Sequence, residues 1–176
     1  TVAGIAKGAG MICPDMATML AFFVTDADIR GRALKLALKE AVDNSFNSII
    51  VDNDTSTNDT VLVFANGMSR CRGIKAGTQD LKTFSKLLSG VALKLAKMVV
   101  RDGEGATRLM EIYVSGAPSV ADAKRGARTI AESFLVKTAF FGADPNWGRV
   151  MAALGRSGIK FKEERVDISF NGVKVV

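Results

Sequence analysis

Five stretches of this chain carry side chains able to do chemistry, and none contains histidine, which the 176-residue sequence lacks altogether. That absence removes the Ser-His-Asp and Cys-His triads and the HExxH zinc helix, all of which need imidazole. With Cys13 and Cys71 as the two cysteines, a zinc site of the usual His/Cys type has too few ligands, and a disulfide framework cannot be built. Any acid or base must be another group. Thr1 supplies one candidate, because a free terminal threonine sets a hydroxyl nucleophile beside an α-amine with a reference pKa of about 7.7–8.0, able to accept the hydroxyl proton. Removal of an initiator methionine, or trimming, leaves the same end, so both readings stand.

Lys7-Gly8-Ala9-Gly10 follows, where a glycine-rich turn can aim several backbone N–H groups at one anion or oxyanion. The alternative is a turn that needs glycine's backbone freedom, and the spacing matches neither the P-loop nor the dinucleotide fingerprint. The polar run from Asp52 to Asp59 has a faint calcium-loop spacing that fails at its sixth position, Thr57, and its twelfth, Val63. Turn-building hydrogen bonds are its first reading and the lining of a site its second. Asp102-Gly103-Glu104-Gly105-Ala106-Thr107 sets a carboxylate between two glycines, where Glu104 could meet an amino group. Gly142 to Arg149 reads as a rigid turn with Trp147 as a core plug.

The elements that must position these residues follow from hydrophobic period. Thr18 to Asp26 reads as a buried strand, and Leu34, Leu38, Val42 and Phe46 as one apolar helix face. Asn47 to Asp52 and Thr60 to Asn66 read as two short strands, and Leu81 to Arg101 as the longest helix, capped by Asp80. Leu109 to Ser115 alternates as a strand, Ser119 opens a helix over Val120 to Ser133, and Leu135 to Phe141 reads as strand. A short helix is expected around Arg149 to Leu154. Val166 to Phe170 then leads to an Asn171-Gly172 hairpin turn. The hairpin supplies only half of a returning strand before Val176, so the polypeptide is expected to continue or its edge to pair with another chain. No repeat or linker interrupts residues 1–176, which are read as a single α/β domain.

Composition narrows the class. At 48% apolar and 24% charged, the chain suits a packed domain, and its apolar runs stop well short of the ~20 residues of a membrane helix. It reads as soluble and non-secreted. The net charge of +6 comes from cations scattered among 18 acidic residues with no basic block, so an ordinary basic surface or small carboxylate substrates explain it before nucleic acid does.

Six motifs in order carry a resemblance: Thr1-Val2-Ala3-Gly4; Lys7-Gly8-Ala9-Gly10-Met11-Ile12; Pro14-Asp15-Met16-Ala17-Thr18-Met19-Leu20; Ser56-Thr57-Asn58-Asp59; the Asp102–Thr107 loop; and Gly142–Arg149. Together they resemble the β chain of the ornithine acetyltransferase family, also called glutamate N-acetyltransferase, of arginine biosynthesis. The resemblance implies a precursor that cleaves its own backbone before a threonine, matched here to Thr1. It implies a layered α-β-β-α sandwich completed by a separate α chain, and a cytoplasmic heterotetramer of two α and two β chains. The threonine takes an acetyl group from N-acetylornithine and passes it to glutamate, and some members also accept acetyl-CoA; no cofactor or metal is implied. An oxyanion-hole Thr-Gly pair and a substrate-contacting lysine are implied on the α chain. A C-terminal substrate-binding segment of the family is expected beyond the residue matching Val176.

The resulting expectation is a ping-pong acetyltransferase with Thr1 as catalytic nucleophile and Thr1, Glu104, Lys7, Gly8 and Gly10 lining the substrate site, the Lys7–Gly10 turn lying close to Thr1. An amidohydrolase or aminopeptidase that resolves the same acyl-threonine with water is the first alternative. A non-enzymatic anion or nucleic-acid binder is the second. Partners are expected to be the α chain, N-acetylornithine, ornithine and glutamate, with no nucleic acid and no membrane.

Overall fold

The short continuous apolar run from Met19 to Val24 suits a buried strand, and Leu20–Thr25 (β2) is the middle strand of a sheet. The computed structural model describes residues 1–8, 19–53 and 59–176. These divide into two compact units, Thr1–Ala106 and Thr107–Val176, where the sequence reads as one domain.

In the first unit, β1 (Val2–Lys7) pairs antiparallel with β2, and β2 pairs parallel with β3 (Thr60–Ala65), giving the order β1-β2-β3. A parallel pair needs a crossover, which α1 (Gly31–Asp43) supplies. The inward face presents Val2, Gly4 and Ala6 from β1, Ala21, Phe23 and Thr25 from β2, and Val61, Val63 and Ala65 from β3. Helices α1 and α2 (Gln79–Arg101) pack with this sheet in one core around Phe23 and Leu88, both fully buried. Gly4 lies where a Cβ would meet the Phe23 ring at 2.7 Å and Leu95 at 3.1 Å, so the strand approaches the core more closely than any side chain allows.

The helix faces depart from expectation in an instructive way. Ala33, Ala37 and Ala41 are the buried residues of α1, with Leu34, Leu38 and Val42 only half-buried. Alanines Ala92 and Ala96 are likewise buried on α2. Small residues on both helices permit close approach, and the larger side chains fill the flanks. The cap of α2 is Thr78, whose Oγ1 accepts from the Leu81 N–H at 3.3 Å; Asp80 sits instead in the first turn, where the helix dipole favours an anion. Residues 47–52 form no strand among the described residues. Phe46–Ser48 is a 3-10 turn, and Ile49 and Val51 then tuck against Val99, as Ala6 does.

Among the described residues of this unit, none covers the other face of the sheet. Ile5, Val24, Leu62 and Phe64 are exposed, Ile5 at 70% and Phe64 at 56%, and Phe22 lies half-buried among them by register. Helices on one face and an uncovered apolar layer on the other make half of an α-β-β-α arrangement.

The second unit packs α3 (Val120–Glu132), α4 (Phe134–Phe141) and α5 (Trp147–Gly155) around Ile130, Val136 and Ala153. Residues 135–141 are therefore helix rather than strand. Ser133 accepts from the Val136 N–H and starts the turn, a signal that outranks the ambiguous period of a short apolar run. Residues 109–115 alternate in burial as expected, with Met110 and Ile112 on the core, yet form no ladder among the described residues. The hairpin pairs β4 (Ser169–Phe170) with β5 (Val173–Lys174) through Asn171 and Gly172, both at positive φ, as the Asn-Gly pair predicts.

Candidate active site

Backbone register decides which candidate residues can meet. Val2 lies opposite Thr25 and Lys7 opposite Leu20, so Thr1 and Lys7 occupy opposite ends of β1, about 20 Å apart at ~3.3 Å per residue. This corrects the expectation for Lys7 and Gly8, which do not lie beside Thr1; residues 9 and 10 of that turn lie outside the described residues. Thr1 itself is 84% exposed; its α-amino group donates to Asp26 Oδ1 at 2.5 Å and its carbonyl accepts from Thr25 Oγ1 at 2.7 Å. That hydrogen bond holds the Asp26 carboxyl below the usual carboxylate range.

The far end of the sheet gathers the other candidates. Lys7 ends β1 and half-buried Gly8 follows it; Gly10 lies outside the described residues. Helix α2 runs alongside β1, with Leu95 at Gly4 and Val99 against Ala6, so its C-terminus delivers Asp102 to Gly105 to the Lys7 end. Gly103 is needed there, because a Cβ would stand 3.2 Å from both the Val100 carbonyl and the Val51 side chain. Gly105 has φ +67, and a bond from the Ala106 N–H to the Gly103 carbonyl closes the turn, leaving Glu104 exposed at its tip. Within the described residues, then, Lys7, Gly8 and Glu104 share one end of the unit, and Thr1 does not.

Asp59 also belongs to this end. Its Oδ1 accepts from the Met19 N–H at 2.6 Å, and burial pushes its carboxyl above the ordinary carboxylate range against the pull of that N–H. The sequence marks Asp59 as part of a polar turn; only the sheet register, which sets Thr60 beside Leu20, reveals where it points. An apolar groove of about 830 Å³ runs instead along the free side of β1 between Ala3, Gly4 and the α2 residues Leu87, Gly90 and Leu95, away from these polar groups.

At the Thr1 end, the Ser69 hydroxyl donates to Cys71 Sγ at 3.1 Å and, with the Asp28 N–H, holds the exposed thiol below its usual range. In the second unit, the 142–149 turn is rigid: Asn146 caps α5 by accepting from the Arg149 N–H, and the Arg149 guanidinium donates to the Leu135 carbonyl and Thr138 Oγ1. Trp147 is half exposed and plugs no core. Among the described residues there is no cluster arranged to hold a metal, and no helix is long and apolar enough to cross a membrane.

A mixed α/β unit with helices on one sheet face and polar groups converging at one sheet end is the class of fold defined here. The fold is similar to that of the crystal structure titled arginine biosynthesis bifunctional protein ArgJ from Bacillus halodurans, with a TM-score of 0.83 and 42% identity over 87% of this chain and 72% of that one. The chain is 54% identical over its full length to the arginine biosynthesis bifunctional protein ArgJ of Syntrophotalea carbinolica, and 55% identical over 98% of its length to that of Desulfotalea psychrophila. It covers 45% and 44% of those proteins, so it spans about half the length of the curated relatives it matches. The ArgJ family model matches residues 1–176, and the chain belongs to the ArgJ family.

Proposed function

We propose that this chain supplies part of the acetyl-transfer site of a glutamate N-acetyltransferase, which moves the acetyl group of N-acetylornithine to glutamate. The observation that carries the reading is the sheet register that gathers Lys7, Gly8, Asp59 and the Glu104 loop at one end. Two kinds of charge at such a site suit an amino-acid substrate: Lys7 faces a carboxylate and Glu104 an ammonium. In the same reading the Gly8 backbone N–H serves the acyl oxygen, and Gly10, expected to join it, lies outside the described residues.

We take the nucleophile to belong with these groups, which gather at the end of β1 opposite Thr1, and Thr18 itself lies outside the described residues. Thr18 is joined by one peptide bond to Met19, whose N–H is held by Asp59. We therefore assign the family's self-cleavage to the Ala17–Thr18 bond and the acetyl-accepting hydroxyl to Thr18. Cleavage frees the Thr18 α-amine as general base. The hydroxyl oxygen attacks the acetamide carbonyl, the C–N bond breaks and ornithine departs with the proton. The glutamate amine then attacks the threonine ester, and the hydroxyl is restored. The chemistry needs no cofactor, and acetyl-CoA is an alternative donor of the same acyl group.

Cleavage there leaves β1 on the upstream fragment, hydrogen-bonded to β2 of the downstream one. The bare face around Phe22 and Phe64 and the free side of β1 support further cover by the remainder of the precursor, in the α2β2 assembly expected for the family. In this reading the enzyme is cytoplasmic. The test uses enzyme made from the full-length gene: N-acetylornithine and glutamate should yield ornithine and N-acetylglutamate in equal amounts. Acetate release that ignores glutamate would favour the amidohydrolase reading instead.

A further inference from the structure

The turn that carries Glu104 is shaped from within by backbone bonds. At the end of α2 the Asp102 N–H donates to the Met98 carbonyl at 3.0 Å and the Gly103 N–H to the Val100 carbonyl at 3.2 Å. The chain then passes through Glu104 and Gly105 to the bond from the Ala106 N–H to the Gly103 carbonyl at 2.9 Å. A side chain from another segment sets this turn against the rest of the unit. A Cβ on Gly103 would stand 3.2 Å from Val51 Cγ1 and 3.7 Å from Cγ2, so the Gly103 backbone lies directly on the Val51 side chain.

Val51 reaches this place because the stretch after the Phe46–Ser48 turn runs past the end of α2. Ile49 and Val51 pack on Val99, one helical turn before Gly103, and Ala6 packs on Val99 as well. Ala6 is the residue before Lys7, and Gly103 the residue before Glu104. Each of the two opposite charges at this end of the sheet is therefore one residue from backbone seated on the same small apolar cluster. Glu104 is exposed, so where its carboxylate reaches depends on where its backbone is held.

We infer that Val51 and Gly103 are positioning residues for the ammonium group of the substrate: by seating the 102–106 turn on the Val99 cluster, their contact fixes the backbone of Glu104 relative to Lys7. This rests on the reading of Glu104 as the ammonium contact. Both residues are uncharged and touch no reacting atom, so their effect passes through Glu104 to KM and leaves kcat nearly unchanged. A methyl added at residue 103 pushes the turn off Val51, and truncating Val51 removes the seat. Made together, the two changes place the new methyl in the space vacated.

The experiment uses enzyme from the full-length gene and measures kcat and KM for N-acetylornithine in Gly103→Ala, Val51→Ala, the double variant, and each single variant combined with Glu104→Gln. Gly103→Ala should raise KM about 5- to 30-fold and Val51→Ala about 3- to 10-fold, with kcat within about threefold of the parent. The double variant should return KM to within about threefold of the parent. In the Glu104→Gln background neither change should raise KM by more than about a further twofold, because the group they place is already lost. If Gly103→Ala fails to fold, Val51→Ala with and without Glu104→Gln decides. Single variants with the parent's KM, a double variant worse than Gly103→Ala, or KM increases that persist undiminished in the Glu104→Gln enzyme overturn the positioning role. Glu104→Gln with an unchanged KM overturns instead the ammonium contact on which the inference rests, whatever the packing variants do.

Discussion

The two ends of the three-stranded sheet hold similar inventories and are built for different work. At one end the Thr25 hydroxyl donates to the Thr1 carbonyl, and Ser69 and the Asp28 backbone satisfy Cys71, so polar groups there are largely spent on each other. At the other, Glu104 is lifted to the tip of a glycine-flanked turn and Lys7 projects from the last residue of a strand, while Asp59 is committed to the backbone rather than to a cation. Charge that is already paired stabilises locally. Exposed charge of both signs, held on rigid elements, is available to a zwitterionic ligand.

Exchanging the roles of the two ends is the sharpest way to break this comparison. Thr18→Ala should abolish self-cleavage and lower turnover by about three orders of magnitude or more, as removal of a covalent nucleophile does. Thr1→Ala should leave both within about twofold. Steady-state assays and gels of the full-length enzyme check the pair, and the reverse result would transfer the site to the Thr1 end.

Next in size is Glu104→Gln, which keeps shape and removes charge. Loss of a charged hydrogen bond to the substrate amino group should raise KM for N-acetylornithine by roughly one to two orders of magnitude. Unchanged kinetics would make the loop structural.

Gly4 sits between the ends and sharpens the comparison differently. Gly4→Ala drives a methyl into Phe23, which is fully buried and cannot retreat, so about 1–3 kcal/mol of stability should be lost. Denaturant midpoints measure it, and a neutral substitution would mean that β1 can lift from the core.

What the sequence made legible follows from how strongly each signal survives packing. Strand β2, helix α2 and the Asn171-Gly172 hairpin were readable because large apolar residues or an obligate turn pair mark them. Strand β1 was not, since its inward residues Val2, Gly4 and Ala6 shrink to let the core approach, which mutes the alternation. The run from Leu135 looked like strand because every residue but Lys137 and Thr138 is apolar, and only the Ser133 cap distinguishes it. The site was half legible. Lys7, Gly8 and Glu104 could be nominated by type, but their separation from Thr1 is a property of register, which no local pattern encodes. Asp59 was hidden for the same reason, its partner lying 40 residues away.

The central claim is that acetyl transfer happens at the Lys7 end of the sheet. Enzyme from the full-length gene, quenched during turnover of N-acetylornithine without glutamate, can be digested and its acetylated peptide sequenced by mass spectrometry. The account predicts a fragment whose first residue is Thr18 and which carries the acetyl ester on that residue's hydroxyl. An acetyl group on Thr1, or a fragment beginning at Thr1, would contradict it.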